Sequence, residues 1–216
     1  MTDKEVKEII LAELQNKTFG TTEQFIEIHS PVYFDSDINI ARIDREGNEE
    51  EITAYLPVMN QRFFFAVCIN SKTKEILNVG SLSNNVVYFK ATSENLSEYE
   101  LKSLTKLKPT ISWNKGHLRE NKKMKEKVSY ISFMPNPEPD EFENKLKKLL
   151  DFLEQDEAGI RKLVDKANGY IQVAMDIHNG NGMIGGPTIK IDCINRMQNL
   201  GLEINFDLYV EGNSFK

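Results

Sequence analysis

Leu202-Glu203-Ile204-Asn205-Phe206-Asp207-Leu208-Tyr209-Val210 alternates apolar and polar side chains with a period of two. Ile204, Phe206, Leu208 and Val210 fall on one face of a strand, and Glu203, Asn205, Asp207 and Tyr209 fall on the other. A slip of one residue would bury Asp207 and expose Phe206, so the pattern sets its own register. Upstream, residues 86–210 read as strand, helix, strand, strand, long helix, strand, helix and this closing strand. That order predicts an α+β domain, a mostly antiparallel sheet with helices on one face. It argues an architecture and not a reaction.

Strands are expected at Val86 to Ala91, around Ile111 and Trp113, at Val128 to Met134 and at Tyr170 to Ile177. A short helix over Leu96 to Leu104 has Ser93 or Asn95 as its candidate cap. The long helix starts at Pro139-Asp140, where Asp140 and Glu143 have capping-box spacing. Its stripe, from Phe142 through Leu146, Leu149, Leu150 and Leu153 to Ile160 and Leu163, is interrupted by Asp156-Glu157 and Gly159, which bend or split it. A last helix is expected over Thr188 to Leu200.

The N-terminal part begins with an amphipathic helix on Val6, Ile9, Ile10 and Leu14, ended by Gly20-Thr21-Thr22. Short strands follow at Phe25 to Ile28, Ile38 to Ile43, Ile52 to Leu56, Arg62 to Ile69 and Glu75 to Val79. Gly47-Asn48 and Asn70-Ser71-Lys72-Thr73 mark hairpin turns. Both faces of Phe63 to Ile69 are apolar, which predicts a central strand covered on both sides. Gly80-Ser81-Leu82-Ser83-Asn84-Asn85 has a linker's small, polar composition. The expected organisation is two small mixed α/β domains, 1–80 and 86–216, joined by a linker at 81–85.

The composition is that of an ordinary globular protein, with 40% hydrophobic and 28% charged residues among 216. Residues 1–85 hold 8 Lys and Arg against 14 Asp and Glu, a net of −6, whereas residues 86–216 hold 19 against 19. The acidic part speaks against nucleic acid and anionic membranes and for a basic protein partner, a toxin or regulator. Lys115 to Lys127 carries six Lys and Arg against Glu120 and Glu126. Without interleaved aromatics it reads as a solvated basic loop. The longest apolar run, Phe63 to Ile69, is far short of the ~20 residues of a membrane helix. The first residues have no signal-like apolar stretch. Cys68 and Cys193, isolated and inside apolar segments, read as buried free thiols of a cytoplasmic protein.

Thr110-Ile111-Ser112-Trp113-Asn114-Lys115-Gly116, a later amphipathic helix, and Gly201 to Val210 together resemble the bacterial family known as domain of unknown function 4279. The resemblance covers residues of about 86–212. It departs from the family pattern at Ser129-Tyr130-Ile131-Ser132, where a Trp is expected, and in an enlarged basic loop from Arg119 to Lys127. It implies fold and bacterial origin. The family has no established activity, so no catalytic residue follows.

Four constellations are candidates for chemistry. Gly180-Asn181-Gly182-Met183-Ile184-Gly185 matches G-x-G-x-x-G after a strand, but Pro187 interrupts the helix a dinucleotide site needs, and too little chain follows for the rest of a nucleotide-binding sheet. Gln172, Asp176 and His178 share a polar face with Glu203, Asn205, Asp207 and Tyr209, a set suited to a divalent metal, acid–base work or a protein partner, or else a solvated face or one that packs on the N-terminal domain. Trp113 and Lys115 beside Gly116 and His117 can form a stacking platform with an anion-binding ammonium, or simply anchor a hairpin. Glu46, Glu49, Glu50 and Glu51 form an acidic docking cluster beside a turn. His29 and His117 have no partner at ligand spacing, and no catalytic triad or phosphate loop is present. The expectation is a protein-binding module of immunity-type or regulatory role, without catalysis, cofactor or metal. The alternative is a small-molecule-binding protein or hydrolytic enzyme at Trp113/Lys115 or on the Asp176/His178/Asp207 face. A concave pocket lined by Trp113 and those acids would favour the alternative. Oligomeric state is left open.

Overall fold

The structure, a computed structural model, describes residues 1–47, 50–118, 123–180 and 185–215. Thr2 and Glu5 close a capping box on α1 (Asp3–Asn16), and α2 (Gly20–Ile28) follows after a short turn. Phe25 to Ile28, expected as a strand, is therefore helical. Thr22 and Phe25 are buried three residues apart on one helical face, and Phe25 stacks on Phe65 with ring centroids 4.3 Å apart. Strands β1 (Tyr33–Phe34) and β2 (Asp37–Ile38) form a small hairpin. They are followed by β3 (Arg42–Asp44), β4 (Glu51–Pro57), β5 (Phe64–Asn70) and β6 (Ile76–Leu82) in one antiparallel sheet of order β3-β4-β5-β6.

The expectation for β5 holds in part. It is central, and Phe65, Val67 and Ile69 are buried under the two helices, but Phe64 and Cys68 on its other face are only half-buried. The turn read at Gly47-Asn48 runs into residues outside those described.

The second sheet contains β7 (Asn84–Ser93), β8 (Ile111–Trp113), β9 (Ser129–Phe133), β10 (Asn168–His178) and β11 (Ile204–Glu211), ordered β11-β10-β7-β9-β8. All pairings are antiparallel except β10 with β11, which are joined by α6 (Ile191–Leu200) as a crossover. Helices α3 (Glu98–Ser103), α4 (Phe142–Leu153) and α5 (Glu157–Lys166) complete the domain. Its core joins Leu146, Leu149, Leu150, Ile160 and Leu163 to Val87, Phe89, Ile171 and Val173, so the helices cover one sheet face as expected. The chain is α+β.

Several local expectations are corrected. Ser97, with Glu100 in a capping box, caps α3 in place of Ser93 or Asn95. The Asp140/Glu143 capping box does not form: α4 starts one residue later, and Asp140 accepts from Glu141 N and Asn144 Nδ2. The long helix splits at Asp156, which caps α5 through Gly159 N. The linker read at 81–85 is strand, because β6 and β7 take all of it except Ser83. Its small polar residues sit on two successive strands, each paired within its own sheet, and their composition alone does not distinguish that from a loop. Along β11, Ile204 and Phe206 pack partly against the core while Leu208 is 48% exposed, since β11 is an edge strand whose far end runs beyond the helices.

Candidate functional site

The polar face read from β10 and β11 exists in the expected register: Gln172 lies opposite Asn205, Ala174 opposite Asp207, and Asp176 opposite Tyr209. Half of it is not open. The N-terminal half covers the end carrying Asp176 and His178, both buried.

His178 meets His29 there, with Nε2 to Nε2 at 3.1 Å. Backbone groups assign the tautomers. Asn213 N–H donates to His29 Nε2 (3.3 Å), so that nitrogen is an acceptor. His178 Nε2–H then faces His29 Nε2 and the Asn213 carbonyl (3.0 Å), and its Nδ1 accepts from the Ser81 hydroxyl (3.2 Å). Phe25, Phe63 and Phe215 surround the pair. Burial and the facing His178 hold His29 below the ordinary imidazole value; burial does the same to His178 against the pull of the Asn213 carbonyl. Both rings are neutral at neutral pH, and both nitrogens of His178 are engaged.

Asp176 accepts from Arg62 Nη1 (3.4 Å) and Asn84 Nδ2 (3.2 Å), while Arg62 N donates to Glu211 Oε1 at 2.6 Å. Asp207 accepts from Gln172 Nε2 at 3.1 Å, and Tyr209 is exposed. Asp176, His178 and Asp207 each have a separate partner and do not converge. Among the described residues, no group of three or more His, Cys, Asp and Glu is placed to hold a metal ion.

Trp113 lies at the opposite edge of the sheet, four strand spacings or about 19 Å from β11. Its ring stacks flat on Tyr130 of the following strand (3.9 Å, 5°). The indole Nε1–H is buried without a hydrogen-bond partner among the described residues. Lys115 Nζ donates to the Glu94 carbonyl at 3.0 Å, and its backbone N–H donates to Ser129 Oγ. The pair anchors a hairpin, and the width of the sheet separates it from those acids.

Between the two edges runs a band that the sequence reading missed. Strand pairing puts Tyr130 on β9, Tyr88 and Lys90 on β7, and Tyr170 on β10 on this helix-free face, with Lys90 Nζ 4.7 Å from the Tyr170 ring centroid. Burial, then neighbouring Tyr130, Tyr170, Asp207 and Tyr209, push the Tyr88 phenol up to about 12. The available signal was parity: each tyrosine alternates with core residues of its own strand.

The acidic cluster is dispersed. Glu46 pairs with Lys148 (2.6 Å) and Arg42 (3.3 Å), Glu50 pairs with Lys72 (2.5 Å), and Glu51 begins β4, exposed. Glu49 lies outside the described residues, as do residues 119–122 of the basic loop and 181–184 of the glycine run. Glu46, itself exposed, borders a buried seam. Arg42 contacts Asp44 (2.9 Å), Asp140 (3.0 Å) and the Pro139 carbonyl (2.8 Å), joining β3 to the turn before α4. Nearby Lys145 is buried against the Asn136 carbonyl (2.9 Å), and burial holds its ammonium down to about 8.

Both cysteines are free thiols, and no helix among the described residues is long and apolar enough to cross a membrane. No curated protein and no solved structure matches the chain. A family profile described as "Domain of unknown function (DUF4279)" matches residues 82–211, the whole five-stranded sheet with its helices, and the chain belongs to that family.

Proposed function

We propose that the protein is a non-catalytic cytoplasmic protein-binding module, of immunity-type or regulatory role. It recognises a basic partner that lays an extended segment along β11. The observation that carries this reading is the outer edge of that strand. Leu208, Tyr209 and Val210 are about half-exposed, and β11 pairs with β10 alone among the described strands. A segment added there gains main-chain hydrogen bonds from the edge and side-chain contacts on the neighbouring tyrosine band. Tyr and Trp are the residues that dominate interface hot spots. Glu203 and Asp207 along the edge, with the acidity of residues 1–85, favour a basic segment and speed its encounter. Hydrolysis on the Asp176/His178/Asp207 face finds no support, because each group is already engaged by a protein partner.

The test begins with affinity capture of a partner and its identification, followed by surface-binding kinetics with the purified pair. Asp207→Lys combined with Tyr209→Lys should weaken binding about 10-fold or more through faster dissociation, with the melting temperature unchanged. Glu50→Lys with Glu51→Lys should slow association several-fold at low salt and leave dissociation alone. Equal binding by the Asp207/Tyr209 double variant ends this reading.

A further inference from the structure

Where the two halves meet they enclose a cleft of about 480 Å³, between the N-terminal sheet, the start of α4 and the ends of β10 and β11. This volume lies within the range of small-molecule sites. Two polar groups on its wall have no partner. Tyr55 sits on the face of β4 opposite Ile52, Ala54 and Leu56, and is only 2% exposed because the C-terminal half packs over it. It borders the cleft, and among the described residues its hydroxyl makes no hydrogen bond. The hydroxyl is not sealed in protein but borders the cleft, so what meets it comes from the cleft.

The second group is Glu141. It occupies the N-cap position of α4, yet its carboxylate makes no capping bond. Asp140 beside it takes Arg42 and Lys148, whereas Glu141 forms no ion pair among the described residues. Burial, then the charges of Glu143, Asp140 and Asp44, push the Glu141 carboxyl above the ordinary value. Glu141 is nonetheless an exposed residue that water reaches, and an incoming cation stabilises its charged form.

The remaining wall defines the charge and shape of what fits. Asp140, Glu141 and Glu143 are its acids, no Lys or Arg lines it among the described residues, and His178 is neutral and engaged. Arg42 also lies near Tyr55, but it is committed to Asp140 and Asp44. An anion here would meet the carboxylates of Glu141 and Glu143 with no cation on the described wall to offset them. Phe142, Met175, Leu208 and Phe215 supply apolar and aromatic surface. Aromatic faces attract cations.

We propose that this cleft is a binding site for a small organic cation, a primary ammonium on an apolar body. The ammonium donates to the Glu141 carboxylate and the Tyr55 oxygen, and the apolar body lies against Phe142 and Phe215. The site shares Leu208 with the β11 edge surface, but its polar groups, Glu141 and Tyr55, lie off that edge, so either reading can fail without the other.

Isothermal titration of the full chain with phenethylammonium chloride tests the proposal, with phenylacetate as the anion of matching shape. Saturable binding of the cation alone is expected. Glu141→Gln should weaken it about 10-fold or more, because a hydrogen bond to a charged group is lost, and Tyr55→Phe should weaken it several-fold. Thermal melts of both variants in the absence of cation control for folding. Tyr55→Phe should melt close to wild type, since the hydroxyl has no protein partner among the described residues. A Tyr55→Phe protein that melts lower reveals a partner for that hydroxyl and overturns the proposal. The absence of heat at millimolar phenethylammonium, equal binding of phenylacetate, or unchanged affinity in Glu141→Gln overturns it as well.

Discussion

His29 and His178 are far apart in sequence and touch through their Nε2 atoms. Neutral, they share one proton between facing nitrogens. A second proton on His29 would face both the His178 Nε2–H and the Asn213 N–H. Both imidazoles are held below 6.5, their ordinary value. Below that value the unfolded chain binds protons that the folded chain refuses, so the contribution is complete above about pH 6.5 and is lost as pH falls toward the folded values. Urea titrations at pH 7.5, 6.5 and 5.5, pH values set by about the free-imidazole pKa, should show wild-type stability falling through this window. His178→Gln should fall less steeply, and identical slopes would remove the pair from the account. A further residue-scale effect comes from Gly212, at φ +86° with the place of a Cβ 2.8 Å from Phe63 Cε1. Gly212→Ala should cost about 2 kcal/mol from left-handed strain and displacement of that ring, read as a lowered urea midpoint. Neither site was legible in the sequence: no local spacing links His29 to His178, and Gly212 has its meaning only beside Phe63.

Elements were far more legible. The alternation through Ile204 to Val210 forecast β11 and its faces, because period and register are local properties of the chain. The split of the long helix was equally readable at Asp156. That carboxylate accepts from Gly159 N (3.2 Å), Thr105 Oγ1 (2.7 Å) and Lys106 N (2.6 Å), so it caps α5 and also ties down the turn after α3. Asp156→Ala should therefore cost about 2 kcal/mol, more than an ordinary N-cap, in chemical denaturation. Burial depth was not readable from the pattern. Phe206 lies on the predicted face, packing near Phe142 with ring centroids 5.6 Å apart, yet it is only partly buried because β11 forms the sheet edge. Phe206→Ala should cost about 2 kcal/mol, below the loss for a fully buried Phe, and a melt matching wild type would mean that β11 is not held by this contact. The strand-to-helix error at Phe25 has the same origin, since four apolar-rich residues fit either period until Phe65 is present to receive one face.

At the scale of the molecule, two hydrophobic cores belong to two sheets, yet the halves are tied at several points. Arg42 reaches from β3 to Asp140, Lys148 reaches back to Glu46, Arg62 reaches Asp176, and Phe215 at the end of the chain packs on the first core. None of these ties was visible in composition, which placed a linker where β6 and β7 run almost continuously. The Arg42 guanidinium and the Asp140 carboxylate are both almost fully desolvated. Removing one member of such a pair costs more than the pair contributes, because the other is left buried and charged. Burial would raise the Asp140 carboxyl, but bonds from Asn144, Arg42 and Lys148 hold it below the ordinary value. Arg42→Met keeps much of the volume and leaves Lys148 as the ion-pair partner of Asp140, beside neutral donors from Asn136, Glu141 N and Asn144. The loss should be about 3 kcal/mol, and it falls on the seam and on neither core. Differential scanning calorimetry should accordingly show one transition for wild type and two for Arg42→Met, with the halves melting separately. A single transition displaced to lower temperature would mean that the remaining ties at Arg62, His178 and Phe215 suffice to make the halves unfold together.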